Sequence, residues 1–177
     1  MDIGLLIIRV VLGAFVAAHG IQKLTHLWGG GGLAASAAEF SADGFRGGRV
    51  TAVLAGGTQV AAGGAMITGL LTPAAAAGVL GVMATATGVK LRAGFWSQDG
   101  GFEYPLFLAA LAVATAWTGP GRYSLDQLAG LTRWWNPAVS VAATVAGIGS
   151  ALVLRIALHR GESAVTPAAT LSIGKSV

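Results

Sequence analysis

The chain has 177 residues, of which 54% are hydrophobic and 10% charged, against roughly 25% charged in an average soluble domain. So few charges cannot cover the surface of a water-soluble globule, and the +4 balance of 11 Lys and Arg against 7 Asp and Glu points to basic loops beside a membrane, not to a nucleic-acid-binding face or a disordered chain. With no cysteine, disulfides, thiol relays, iron–sulfur clusters and thiolate zinc sites are excluded.

In chain order, residues 3–21 form an apolar stretch long enough to cross a hydrocarbon core of roughly 30 Å, with Arg9 as its one charge. Asp2 stands where a signal peptide carries basic residues, and Arg9 interrupts what would be its apolar region, so an uncleaved spanning helix is expected. Residues 29–32 are four glycines, followed by a mildly amphipathic segment 33–43 with Glu39 and Asp43, then Arg46 and Arg49, which together read as an interfacial loop. A second span covers about 50–71, and Thr72-Pro73 turns it into a third, about 74–89, as an antiparallel hairpin. Gly56, Gly57, Gly63 and Gly64 surround Gln59 on the second span, and Gly78, Gly81 and Gly88 mark the third, a pattern that lets backbones approach closely. Gln59 shares a face with Gly56 and Gly63 and is expected inside the bundle.

After Lys90 and Arg92, residues 93–105 are a Gly-rich aromatic loop leading into a shorter fourth span, 106–118, stopped by Gly119-Pro120-Gly121. A fifth span is expected at 137–158, with Trp134 and Trp135 ahead of it as an aromatic belt. Five crossings leave Arg122 and Arg133 on one side. On the other stand Lys23, Arg46, Arg49, Lys90, Arg92, Arg155, Arg160 and Lys175, which places that side and the C-terminus in the cytoplasm and the N-terminus outside.

At about 100° per residue, Arg9, His19 and Lys23 fall within one arc of about 80° on the first helix. Ionisable groups in a membrane helix are costly and point to function, although Arg9 and Lys23 also suit the two interfaces as anchors. His19 is neutral or charged near pH 7 and needs a carboxylate, for which Glu103 and Asp99 lie on the same expected side. A cluster of His19, Lys23, Lys90, Glu103 and Tyr104, flanked by Phe95, Trp96 and Phe102, has a proton-exchanging floor and aromatic walls, which suits a quinone head group. The same residues also fit an aromatic interface belt with solvated charges. Haem needs two facing axial ligands, whereas His19 and His26 share one segment and His159 lies near the C-terminus; metal-ligand and phosphate-loop spacings are absent.

The ordered motifs Arg9-Val10-Val11-Leu12-Gly13, His19-Gly20-Ile21-Gln22-Lys23-Leu24, Gly69-Leu70-Leu71-Thr72-Pro73, Gly94-Phe95-Trp96, Gly101-Phe102-Glu103-Tyr104-Pro105-Leu106 and Gly119-Pro120-Gly121-Arg122-Tyr123-Ser124-Leu125-Asp126 resemble the DoxX family of bacterial inner-membrane proteins. The resemblance implies an all-α integral membrane protein with a four-helix bundle over residues 1–126; outside that pattern, hydropathy adds a linker and a fifth transmembrane helix at 127–160 and a polar tail at 161–177. It also implies a distant likeness to the membrane subunits of thiosulfate:quinone oxidoreductases, with polar positions at Arg9, His19, Gln22, Lys23, Glu103 and Tyr104. Where the family commonly has a Glu on its second span, this chain has Gln59, so a carboxylate is missing from mid-bundle.

Two functions follow as expectations. In one, the bundle binds a quinone-like molecule through Arg9, His19, Gln22, Lys23, Gln59, Lys90, Trp96, Glu103 and Tyr104 and serves a partner oxidoreductase in the inner membrane, with no covalent or metal cofactor of its own. In the other, it is a non-catalytic accessory subunit of a larger respiratory complex, docked through its Gly-rich faces and fifth helix.

Overall fold

A computed structural model describes residues 1–159; Arg160 and the expected polar tail, residues 161–177 with Lys175, lie outside the described residues. The helices are α1 (Asp2–Leu24), α2 (Gly32–Ala42), α3 (Arg49–Thr68), α4 (Thr72–Lys90), α5 (Glu103–Thr118), α6 (Leu125–Leu128) and α7 (Pro137–Leu158). Four of them, α1, α3, α4 with its terminal turn, and α7, are long and apolar enough to cross a membrane, as a multi-pass protein requires. α5 has 16 residues and is about 24 Å long, yet runs between the same two ends of the bundle.

The ends are set by long-range contacts. At one, Asp2 accepts the Arg122 N–H at 3.1 Å, so the N-terminus of α1 lies beside the α5–α6 connection. At the other, the Arg46 N–H donates to Leu158 O at 2.7 Å, and the Phe45 and His159 rings meet edge to face, which stitches the C-terminus of α7 to the α2–α3 loop. The described basic residues partition as expected, with Arg122 and Arg133 at the Asp2 end and Lys23, Arg46, Arg49, Lys90, Arg92 and Arg155 at the other.

Local sequence explains the breaks. Gly69 closes α3 in the left-handed conformation (φ 66°) and Leu71 precedes α4 at φ 48°, so the hairpin turn takes three residues that the hydropathy pattern alone assigned to the span. Pro73 follows within the first turn of α4, where a missing N–H costs nothing. α5 begins three residues before its apolar run because Pro105 is tolerated in a first helical turn. The segment read as an interfacial loop contains α2, tied to α1 where the buried Ser36 hydroxyl donates to Lys23 O at 3.1 Å.

Packing between α1 and α3 is a glycine zipper in antiparallel register. A Cβ built on Gly13 would lie 2.5 Å from Gly63 O, and one on Gly20 would lie 2.6 Å from Gly56 O. Both helices carry these glycines seven residues apart, so the two close contacts recur after two turns on each. In lipid, where apolar burial between helices gains little, such backbone proximity is what holds helices together. Gly57 and Gly64, which the sequence groups with them, face open space. α3 and α4 do form a hairpin, but α4 packs more extensively on α7 and α5, with Gly147 seated against Leu80. The centre holds Leu12, Val16, Met66 and Val79, each at most 1% exposed.

Candidate functional site

The end of the bundle opposite Asp2 assembles its chemistry around the start of α5. The loop before α5 folds back on itself: Phe102 N–H donates to Gly94 O at 3.1 Å and Glu103 N–H to Phe95 O at 2.9 Å. A reciprocal cap then fixes it. The Tyr104 N–H, one of the unpaired donors of a helix start, donates to Ser97 Oγ at 3.1 Å, while the Ser97 N–H donates to Glu103 Oε2 at 3.0 Å. Phe95 is braced edge-on by Trp96 and Phe102, with ring centroids 5.1 and 5.5 Å away. Beside it lies an open hollow of about 510 Å³ lined by Phe95, Ser97, Glu103, Tyr104, Leu106 and Phe107. The His19 ring touches Tyr104 from α1, centroids 5.7 Å apart and tilted by 39°. A titratable ring thus backs a phenol that itself forms part of the hollow's wall.

The remaining expected residues are placed differently. Lys23 leaves the cluster for Glu39 on α2, at 3.2 Å, and sits over the Phe40 ring. Gln22 donates to Trp28 O at 2.8 Å, and Lys90 to Gly100 O at 3.2 Å. Trp96 is 59% exposed and braces the hollow without lining it. Gln59 is buried, as its spacing requires, against Gly20, and its side-chain oxygen has no hydrogen-bond partner. Between Lys23 and Lys90, Asp43 is half-buried; desolvation, and then Glu39, push its carboxyl above the ordinary range, while Lys90, Lys23 and His159 pull it back.

Arg9 does not join this site. Ten residues before His19, about 15 Å along the helix, it is 1% exposed at the other end of the bundle. Its Nη2 donates to Tyr123 O, and its guanidinium fills the space that a Cβ on Gly69 would take. Its electrostatic counterpart is Asp126, 2% exposed, close enough to act on it without direct ion-pair contact. Asp126 also accepts the Leu71 and Thr72 N–H groups at 2.7 and 2.8 Å, capping α4 from a segment 54 residues away. The motifs contain Asp126, but no role attaches to it from spacing. The signal that could have found it is topological: a lone carboxylate in a loop at the same end of the bundle as the Arg-bearing half of the first helix.

A family model described as DoxX matches residues 4–92, half of the chain. The chain belongs to the DoxX family. The match takes in α1 to α4 and the turn after them, so Glu103, Tyr104 and Asp126 lie beyond the residues that the DoxX model covers. No curated protein and no solved structure matches. In this DoxX protein, His19 lies within the matched residues, while Tyr104 and the other residues lining the hollow come from the sequence that follows.

Proposed function

We propose that the hollow beside Tyr104 receives the head group of a quinone-like molecule and that the chain serves a partner oxidoreductase in a bacterial inner membrane, with its N-terminus outside and the hollow on the cytoplasmic side. The observation that carries this reading is the contact of His19 with Tyr104, which itself lines an aromatic hollow together with Glu103. The residues fit such a molecule: Phe95 and Phe107 offer apolar faces to a flat ring, and Tyr104 and Glu103 offer a hydroxyl and a carboxylate at its rim. A quinone supplies two-electron, two-proton chemistry when bound. The chain's own residues orient the ring and exchange protons, Glu103 directly with water and His19 through the Tyr104 side. Electrons come from the partner, because a chain without cysteine or facing histidines has no relay of its own.

The test measures retention of decylubiquinone and of menaquinone by protein in nanodiscs. His19→Ala, Tyr104→Phe and Glu103→Gln should each lower retention, with Arg133→Ala unchanged, all compared at equal folded protein. Unchanged retention in all three variants would end the reading.

The accessory-subunit reading would put its docking surface on the outward face of α7, where Val145, Ile148, Leu152 and Ile156 are exposed. Because α7 is packed on α4, deleting it would damage the bundle; substituting Val145 and Ile148 by Trp and following co-purification of membrane partners separates docking from folding.

A further inference from the structure

The turn after α1 holds a conformation that its residue does not favour. Trp28 adopts φ 51°, ψ 36°, one of two non-glycine residues with positive φ among those described. For a bulky side chain this left-handed conformation is strained, and it persists only where neighbours hold it. Gln22, in the last turn of α1, supplies that hold by donating to the Trp28 carbonyl at 2.8 Å. The result is a pair of large apolar side chains turned outward, Leu27 at 58% and Trp28 at 68% exposure.

The depth of this pair follows from the glycine register. Gly13 opposes Gly63 and Gly20 opposes Gly56, a register that sets the end of α1 at Leu24 level with Ala52, about one turn inside Arg49, and the chain beyond folds back on that end, where a Cβ on Gly30 would lie 2.5 Å from Gln22 O. On α3 the residue next to Arg49 is Val50, 66% exposed, with Val53 and Leu54 outward behind it, so the lipid-facing apolar surface starts one residue inside Arg49. Leu27 and Trp28 therefore lie at the border of the hydrocarbon, at the same end of the bundle as Arg46 and Arg49. An exposed indole and exposed arginines at that end match a headgroup layer whose phosphates are anionic.

We infer that Leu27 and Trp28, presented by Gln22, form an anchor inserted at the headgroup–acyl boundary of an anionic phospholipid leaflet, with Arg46 and Arg49 on the adjacent phosphates. Continuity with the lipid-facing surface of α3 and charge complementarity select the bilayer over a soluble partner protein as the occupant. The anchor is independent of quinone binding.

A nitroxide at Trp28→Cys, in a chain otherwise free of cysteine, reads depth from its relative accessibility to oxygen and to a water-soluble nickel chelate. In vesicles of phosphatidylglycerol and phosphatidylcholine the label should favour oxygen, and adding Gln22→Ala should shift it toward the nickel chelate. Native Trp28 fluorescence, taken as the difference between the parent and Trp28→Phe, should be quenched by lipids brominated near the headgroup and less so after Arg46→Ala with Arg49→Ala. A label that favours the nickel chelate in the parent background, or one that Gln22→Ala leaves in place, overturns the anchor. Equal quenching in pure phosphatidylcholine, or quenching unaffected by the arginine substitutions, overturns its anionic preference.

Discussion

Replacing Asp126 by Asn changes few atoms and leaves Arg9 buried without its opposing charge. Asp126 is 2% exposed and serves three groups at once: the Arg9 guanidinium through space and the Leu71 and Thr72 N–H groups at 2.7 and 2.8 Å. An Asn keeps one acceptor oxygen and turns an NH₂ toward the other backbone donor. Leaving one buried backbone donor without its acceptor, and Arg9 without a through-space counter-charge, costs about 1–3 kcal/mol. At roughly 2–4 °C per kcal/mol for a chain of this size, the thermal midpoint in nanodiscs should fall by about 2–12 °C. Arg9→Met, which removes the charge but keeps an unbranched chain beside Gly69, leaves Asp126 its two backbone donors and should cost less. In the Arg9→Met background, Asp126→Asn should lose most of its effect, retaining the part due to the α4 cap. Costs that add to within about 0.5 kcal/mol would refute the pairing.

Gly63→Ala places a Cβ 2.6 Å from Gly13 O and Ala17 N and should destabilise by about 1–3 kcal/mol, whereas Gly64→Ala, which meets nothing within 4 Å, should be neutral or stabilise by up to about 1 kcal/mol; thermal midpoints of the two variants check this. Asp43 holds its proton more tightly folded than unfolded, so its contribution to stability declines as pH rises from the ordinary carboxylate range through its raised value. Asp43→Asn should therefore gain on the parent across that window and keep a constant advantage above it, and parallel pH–stability curves would count against the burial cause. With no native cysteine, Ser97→Cys and Arg133→Cys should react with an impermeant maleimide from opposite sides of the membrane, Arg133→Cys from outside in intact cells.

Hydropathy reads where a chain enters and leaves the bilayer, and it placed α7 at its observed limits because Asn136-Pro137 and His159 bound an unbroken apolar run. It is silent on rotation. Gly56 and Gly57 are equivalent on paper, yet one meets Gly20 and the other faces open space, and only the pairing of α3 with α1 decides which. Pairing also decided the site. Arg9, His19 and Lys23 share one arc of α1 by spacing, but an arc runs the length of a helix, and its ends meet different partners: Asp126 at one, Tyr104 and Glu39 at the other. Lys23 was unpredictable for a further reason. Its partner sits on α2, a helix too short and too weakly amphipathic to be distinguished from a loop by composition.

Leu12, Val16, Met66 and Val79 separate Arg9 from His19, and no titratable residue stands at their level on any of the long helices. A proton carried through such a layer would lose its hydration with no ionisable group to receive it. Among the described residues, no titratable group links the two ends of the bundle. On the proposed function, a proton exchanged at Glu103 or His19 is drawn from, and returned to, the compartment that the hollow faces.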